Sequence, residues 1–291
     1  MLKSMTGFGR AEQTVGDKTF FVEIKTLNGK QFELQLKLPP LLKPFEFDIR
    51  NVIQENLIRG TIDCYISIKQ NGTSKPVIIN TELIKSYYNQ IHQLAGELNV
   101  DTNSVLSALL RLPEVVSPSM EVLNENDFAS FKEVLNKAIT ELNNHRLEEG
   151  ASLEKDLLTR IEKIKEQEAA ILVFEPKRKI RIKEDINKLL LEHVGKENID
   201  NNRMEQELIY YMEKIDIHEE QIRLRQHCDY FKEMLNDAEF SKGKKLSFLL
   251  QEIGREINTT GSKAYDVDIQ KCVVLMKDEL EKAKEQVLNV L

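Results

Sequence analysis

Two stretches near the C-terminal end of the sequence concentrate side chains that can handle a phosphodiester. In residues 216–227, the helical spacing of 100° per residue brings polar side chains to within roughly 60° of one another. They are Asp216, Glu220, Arg223 and His227. An apolar stripe runs beside them, so the cluster is expected at the rim of a core. Residues 244–263 likewise turn their polar side chains away from an apolar side, and the two segments together suit phosphate and a hard metal ion.

Carboxylates are the candidate metal ligands, because Mn²⁺ and Mg²⁺ are hard ions that prefer oxygen. The predicted ligands are Glu220, Glu252, Glu219, Glu256 and Asp216. Such an ion would activate water and stabilise charge on the phosphoryl oxygens. The simpler interpretation is an ion pair, since Glu252 and Arg255 lie one helical turn apart and Glu219 precedes Arg223 by four residues.

The candidates for proton transfer and phosphate binding complete the predicted catalytic set. A guanidinium matches two phosphate oxygens at once, and an imidazole can serve as a general acid or base. The set is His227, Glu252, Arg223, Glu220 and Arg255. A metal-free route is equally open, with His227 deprotonating a 2′-hydroxyl and an arginine stabilising the phosphorane. It would leave a 2′,3′-cyclic phosphate.

The composition limits the class of protein. The chain has 291 residues, 41% of them hydrophobic and 31% charged, and a formal net charge of −7. This charge counts against a general nucleic-acid coat but leaves room for a local basic groove. The basic run 177–183 is interpreted as a solvated helix face or turn. No apolar run is long enough for a membrane span, and the three cysteines favour a reducing cytoplasm.

The alternation of apolar and polar residues predicts an α+β fold. Residues 3–13, 20–26, 32–38 and 62–68 are expected to form a small antiparallel or mixed sheet, with a helix over 45–58 packed on it. Asn28-Gly29 predicts a tight hairpin between the second and third strands.

Helical periodicity dominates from residue 81 onward. Helices are predicted at 81–98 and 102–110, followed by a connector at 111–126. The pattern then runs over 127–194 as a long helical hairpin, interrupted near Pro176. Further helices are expected at 203–215, 216–236, 244–258 and 267–290.

This pattern suggests three domains: an α+β unit at 1–155, a helical connector at 156–202 and a helical C-terminal domain at 203–291 that carries the site. The last helix has a heptad seam, from Ile269 through Met276 to Val290. The simplest interpretation is packing within the subunit, and the alternative is a contact between subunits.

Several ordered motifs resemble the YicC-like family of bacterial endoribonucleases over essentially the whole chain. They are Ser4–Arg10, Val22–Ile24 with Asn28, Arg59-Gly60, Arg146 with Glu149-Gly150, Asn202–Leu208, Asp216–His227, and Gly243–Lys263. Gly254 departs from the pattern, where the family carries Asn, and residues 239–242 differ somewhat.

The resemblance implies cleavage of single-stranded RNA, dependence on a divalent metal ion (Mn²⁺ or Mg²⁺), and a ring-like homo-oligomer, a hexamer. The residues expected to contact RNA are basic, apart from one aromatic ring that could stack an unpaired base. They are Arg10, Arg59, Lys244, Lys245, Phe248 and Lys263. The second hypothesis is a non-catalytic RNA-binding or stress-regulatory oligomeric module. A third is a structural helical oligomer in which the acidic and basic groups of the site pair with each other.

Overall fold

The structure is a computed structural model that describes residues 2–71, 77–98, 104–118, 123–194, 200–237 and 242–291. The predicted α+β class is confirmed. A four-stranded sheet near the N-terminal end is followed by a chain that is mostly helical, with one additional pair of short strands.

The larger sheet contains β1 (Gly7–Val15), β2 (Lys18–Leu27), β3 (Phe32–Lys37) and β4 (Gly60–Gln70). Their order is β1-β2-β4-β3, with β2 antiparallel to both β1 and β4, and β3 parallel to β4. As the alternation predicts, β2 and β4 bury Val22, Ile24 and Ile62 on one face. The polar residues between them lie on the opposite face.

The predicted hairpin at Asn28-Gly29 is wrong. The chain does not return along β2 but crosses the start of β4, and β3 then pairs with β4 in parallel. Gly29 passes so close to β4 that a Cβ would lie 2.8 Å from the backbone nitrogen of Thr61. The amide of Asn28 donates to the carbonyl of Leu288 at 2.6 Å. Asn-Gly therefore serves a close crossing, and the tight hairpin lies between β1 and β2, where Gly16 has a φ of +61°.

One face of the sheet is covered by helices. A 3₁₀ helix (Pro40–Phe45) leads into α1 (Glu46–Asn56), which buries Ile49 and Ile53 in the N-terminal core. This agrees with the helix predicted at 45–58.

The region after the sheet contains α2 (Thr81–Leu98), with the predicted bounds, and the short α3 (Val105–Leu109). The start of the helix predicted at 102 lies outside the described residues. The predicted connector at 111–126 holds a strand that the sequence did not indicate. This strand, β6 (Val116–Pro118), pairs antiparallel with β5 (Val77–Ile79).

Helix α4 (Glu125–Val194) is continuous over 70 residues, a length of about 105 Å. The predicted interruption at Pro176, and the hairpin within 127–194, are therefore wrong. Proline removes one backbone donor and its ring crowds the carbonyl four residues earlier, yet the helix continues through Pro176. Arg178 anchors this turn by donating to the carbonyl of Ile215 at 2.7 Å. The proposed division at 155/156 falls within this helix, and the three-domain scheme stays a prediction.

A second hydrophobic core forms around the other part of α4. Helix α5 (Asn201–Lys214) precedes a bundle of α6 (His218–Asn236), α7 (Gly243–Ala264) and α8 (Val267–Val287). Helices α6, α7 and α8 pack with residues of α4 from Leu153 to Ile171. All members of the heptad seam of α8 are buried in this core. Packing within the subunit, the simplest interpretation of the seam, is thus confirmed.

The two ends of the described chain meet on α4 in an arrangement that we call the terminal clasp, formed by residues 2–6, Arg146, Gly150 and residues 288–291. Ser4 forms an antiparallel bridge with Val290, and the backbone N–H of Ser4 donates to the carbonyl of Arg146 at 2.9 Å. The clasp joins the sheet to the helical bundle. None of the described helices combines the length and apolar character needed to cross a bilayer.

Candidate active site

The candidate active site lies along the groove between α6 and α7, which run antiparallel. At one end, Nζ of Lys263 donates to Oε1 of Glu220 at 2.8 Å. At the other end, Nζ of Lys242 donates to the carbonyl of Leu235 at 2.8 Å. These two contacts fix the register of the helices, and we call the surface between them the α6–α7 groove.

Glu220 occupies the first end of the groove in a buried position, at 7% exposure. Its second oxygen, Oε2, finds no hydrogen-bond partner among the described residues. The hydroxyl of Thr260 is buried in the same unpartnered state within the described chain. Thr260 lies about one turn before Lys263 and thus on nearly the same side of α7. This end of the groove therefore holds polar atoms with unused hydrogen-bonding capacity.

The middle of the groove brings His227 level with Glu256. Each lies seven residues from the Glu220–Lys263 pair, close to two full helical turns along its own helix. Glu256 is thus on the same side of α7 as Lys263, and it is buried, at 5% exposure. His227 is half-buried at the rim. An imidazole that faces solvent on one side can exchange protons with a bound strand.

Glu252 lies farther along the groove than the sequence pattern suggested. It precedes Lys263 by eleven residues, about 16 Å along the helix axis. The contacts follow this spacing, since Glu220 pairs with Lys263 whereas Glu252 lies 4.0 Å from Arg255. Within one chain, the structure does not bring the carboxylates of Glu220 and Glu252 into one contact network.

The outer side of α7 is an exposed polar stripe. The predicted orientation is found, because Gln251, Glu252 and Arg255 face solvent while Ile253 and Ile257 are buried. The exposed members of the stripe are Lys244, Lys245, Phe248, Gln251, Glu252, Arg255, Asn258 and Ser262. Phe248 is 55% exposed, which leaves its ring available for stacking.

The two arginines of the predicted site each form an ion pair with a carboxylate of their own helix. Arg223 lies 2.5 Å from Glu219, and Arg255 lies 4.0 Å from Glu252. These pairs are the simpler interpretation that the sequence left open. All four side chains are largely solvent-exposed, and exposed ion pairs contribute only about 0–1 kcal/mol. A phosphate can therefore displace either carboxylate at small cost.

The predicted metal ligands do not gather within one subunit. No group of three or more His, Cys, Asp or Glu side chains in the described parts of the chain is arranged to hold a metal ion. Glu219 and Glu220 engage Arg223 and Lys263, and Asp216 engages Lys179 at 3.1 Å. Within one chain, Asp216, Glu219 and Glu220 are therefore occupied by cationic side chains, and the predicted ligands form no cluster of three.

A buried arginine, Arg178, supports the Glu220 end of the groove, and the interpretation of residues 177–183 as a solvated helix face or turn is wrong at this position. Arg178 is 1% exposed and donates to the carbonyls of Ile215 and Lys263 at 2.7 and 3.0 Å. It also pairs with Glu175 at 2.6 Å. The sequence did contain a signal for the burial of Arg178, because this residue follows the buried Ile171 by seven residues and so lies on the same side of α4.

The neighbouring Lys179 ties Asp216 to α4. Desolvation lowers the pKa of Lys179, but the hydrogen bond that it donates to Asp216 and the charges of Asp216 and Glu175 raise it overall. The ammonium stays charged at neutral pH, and Asp216 is held beside it.

The two N-terminal residues predicted to contact RNA occupy different settings. Arg10 is exposed on the uncovered face of the sheet, with its guanidinium 4.8 Å from the centroid of Phe21. Arg59 is half-buried and directs Nη2 at the sulfur of Met5, at 3.3 Å.

Arg146, another of the motif residues, is 1% exposed. It donates to the carbonyl of Met5 at 3.1 Å and to Oγ1 of Thr26 at 3.3 Å. Burial lowers the pKa of Arg146 to about 10, which leaves the guanidinium charged at neutral pH. Arg146 therefore belongs to the terminal clasp, away from solvent.

Gly254 allows α8 to approach α7 closely. A Cβ at this position would lie 3.0 Å from Cδ2 of Leu280. The larger Asn of the family pattern would require Leu280 to move, so the glycine has a packing explanation in this chain.

Comparison with known proteins finds relatives that match the whole chain. The family model described as "Endoribonuclease YicC-like, N-terminal region" matches residues 2–155. The model described as "Endoribonuclease YicC-like, C-terminal" matches residues 171–291, which include the whole groove. A protein of Clostridioides difficile named "Probable endoribonuclease YicC" is 30% identical over 296 residues, covering 100% of both chains. One of the same name from Haemophilus influenzae is 29% identical over 309 residues, again covering 100% of both.

Proposed function

The chain belongs to the YicC-like endoribonuclease family, and on this basis we propose that it is an endoribonuclease that cleaves single-stranded RNA along the α6–α7 groove. The observation that carries the proposal is the exposed stripe of α7. It combines Arg255, Glu252 and the half-exposed ring of Phe248 on one helix face.

Phosphate binding is assigned to Arg223 and Arg255. Each guanidinium leaves its exposed carboxylate and takes two phosphate oxygens, an exchange favoured by bidentate geometry. The ring of Phe248 stacks an unpaired base, and Lys244 and Lys263 follow the backbone. Stacking of this kind requires a base that is free of a partner strand, so it favours single-stranded RNA.

Proton transfer is assigned to His227, which lies at the rim of the groove. It takes the proton of the attacking oxygen or delivers one to the leaving 5′-oxygen. Glu220 holds Lys263 at one end of the groove, and this fixed ammonium stabilises negative charge on the phosphoryl group.

Dependence on Mn²⁺ or Mg²⁺ belongs to the proposal through the family resemblance. Such an ion supplies a Lewis acid and an activated water. The described residues of one chain do not assemble a site for it, and the ligands would have to include groups from a neighbouring copy or from the RNA. The proposed hexamer supplies such neighbours.

The test of the proposal is Glu252→Gln, which removes the carboxylate that would orient the attacking water or bind the metal ion while keeping the size of the side chain. We expect loss of cleavage of a labelled single-stranded RNA in the presence of Mn²⁺, with unchanged circular dichroism and oligomer mass. The matched control is Glu281→Gln, because Glu281 is also exposed and pairs with Lys284 on α8, away from the stripe. Full activity of Glu252→Gln would remove Glu252 from the mechanism.

The chemical ends of the products separate the two routes. A 2′,3′-cyclic phosphate, formed in the presence of EDTA, identifies attack by the 2′-hydroxyl. Products that form only with added metal identify hydrolysis by an activated water.

The ion pairs Glu219–Arg223 and Glu252–Arg255 favour the third hypothesis, a structural oligomer, and the second candidate function is a non-catalytic RNA-binding module. It predicts salt-sensitive RNA binding with no cleavage under any metal condition. A purely structural oligomer predicts no RNA affinity.

A further inference from the structure

The sheet of the N-terminal domain has one face that no described helix covers. On the inner face, α4 packs so closely on β1 that a Cβ on Gly9 would lie 2.1 Å from the carbonyl oxygen of Ala138. Side chains of the opposite parity in all four strands point away from α4 and α1. We call this surface the open sheet face.

Aromatic rings lie on the open sheet face. Phe8 on β1 and Tyr65 on β4 are 37% and 49% exposed. Phe21 on β2 meets the ring of Tyr65 edge-on, with centroids 6.2 Å apart. Phe8 stands opposite Lys25, four residues along β2 from Phe21, so the face offers one pair of contacting rings and a separate third ring.

Cations stand directly beside these rings. The guanidinium of Arg10 lies 4.8 Å from the centroid of Phe21, and the ammonium of Lys25 lies 5.7 Å from that of Phe8. A nucleotide presents a flat base next to an anionic phosphate, and this pairing of ring and cation matches both parts.

A polar depression of about 300 Å³ adjoins the pair of contacting rings. It is lined by Glu23, Lys25, Gln35, Lys37, Asp63 and Tyr65. This volume is at the lower end of the range for small-ligand sites. Carboxylate and amide groups at this position can bond the edge of a base that stacks on Tyr65.

From these observations we propose that the open sheet face binds unpaired nucleotides of an RNA strand, with Phe8 and Tyr65 as stacking residues and Arg10, Lys25 and Lys37 as phosphate contacts. This inference rests on the proposed function, because it assigns a second contact for the same substrate. It adds to the predicted contact at Arg10 the aromatic residues that would hold the bases.

The charge balance of the face distinguishes this mode of binding from a basic groove. Four cations (Arg10, Lys25, Lys37 and Lys69) are offset by four carboxylates (Glu12, Glu23, Glu33 and Asp63). Binding must then come mainly from stacking, and its dependence on salt is shallow. The same density of charge disfavours a second protein as the occupant, because charged residues are depleted from the cores of protein interfaces.

The experiment measures the affinity of the full-length protein for a fluorescent 20-nucleotide 2′-fluoro RNA in EDTA, which blocks both cleavage routes. We expect Phe8→Ala and Tyr65→Ala each to weaken binding by about 5- to 150-fold, the range for loss of one stacked base. Because the loss is in stacking, the factor should be the same at 50 and 200 mM salt. Tyr65→Phe keeps the ring and should bind nearly as the unaltered protein does.

The matched control is Phe47→Ala, since Phe47 is 74% exposed on α1, away from this face. Its affinity should be unchanged. Thermal melting of every variant confirms that the surface substitutions leave the fold intact.

Two outcomes overturn the inference. In the first, Phe8→Ala and Tyr65→Ala bind RNA as tightly as the unaltered protein. In the second, light scattering shows that they change the oligomer mass, which would make the face a contact between copies. If the unaltered protein cleaves unmodified RNA in either case, the proposed function stands and only the inference fails. If it cleaves no RNA, the proposed function fails independently of these variants.

Discussion

The terminal clasp and the α6–α7 groove use arginine in opposite ways. In the clasp, Arg146 is buried and donates to backbone and hydroxyl oxygens. In the groove, Arg223 and Arg255 are exposed and hold only carboxylates of their own helix. All three lie in stretches that resemble motifs of the family, so such a stretch can place an arginine in the service of the fold or leave it free to bind a ligand. Burial and the identity of the acceptor separate the two roles.

The largest loss of stability is expected from Arg146→Met. The substitution leaves the carbonyl of Met5 and the hydroxyl of Thr26 without their donor inside the protein. Each unsatisfied buried group costs about 1–3 kcal/mol, so the free energy of unfolding should fall by about 2–5 kcal/mol. Urea denaturation measures it. A loss below about 1 kcal/mol would show that Arg146 is not a structural residue.

A smaller loss is expected from Gly9→Ala, where the new methyl group would meet the carbonyl of Ala138. Overpacking of this kind costs about 1–3 kcal/mol. The control is Gly96→Ala on α2, where no atom lies within 4 Å of the new Cβ. Because alanine favours the helix, this variant should gain about 0.5–1 kcal/mol. Equal melting temperatures for the two variants would contradict the close packing of β1 on α4.

The smallest effect on stability, and a large one on activity, is expected for Arg223→Met and Arg255→Met. Exposed ion pairs contribute little, so the free energy of unfolding should change by less than about 0.5 kcal/mol. Loss of a charge-assisted bond to phosphate, worth about 1.5–3 kcal/mol, should lower kcat/KM for RNA cleavage by roughly 10- to 150-fold. If stability fell instead and cleavage persisted, the contrast between clasp and groove would be lost.

The sequence predicted local structure correctly where a residue pattern is compatible with only one type of secondary structure. The alternation of Val22 and Ile24 required a strand with one buried face, and the seam of α8 required a buried helix side. The sequence did not predict which strands pair with each other. Asn28-Gly29 permits both a tight turn and a close crossing, and the contacts that decide between them come from Thr61 and Leu288, far along the chain.

The sequence predicted which helix faces are exposed at the candidate site, but not the distances between its residues. Helical periodicity correctly oriented Arg255 toward solvent and Ile253 toward the core. The register between α6 and α7 is set by Lys263 reaching Glu220, a contact between helices that periodicity within either helix cannot supply. For the same reason, the buried role of Arg178 was hidden within a basic run, because its acceptors are carbonyls of other segments.

The bridge between Ser4 and Val290 also fixes when the molecule can be completed during synthesis. A ribosome adds about 5–20 residues per second, so Ser4 emerges roughly 15–60 s before its partner has been translated. Until then Ser4, in the segment before β1, lacks its bridge partner. The four strands of the sheet can pair with one another in that interval, and the terminal clasp closes only after the last helix has been made.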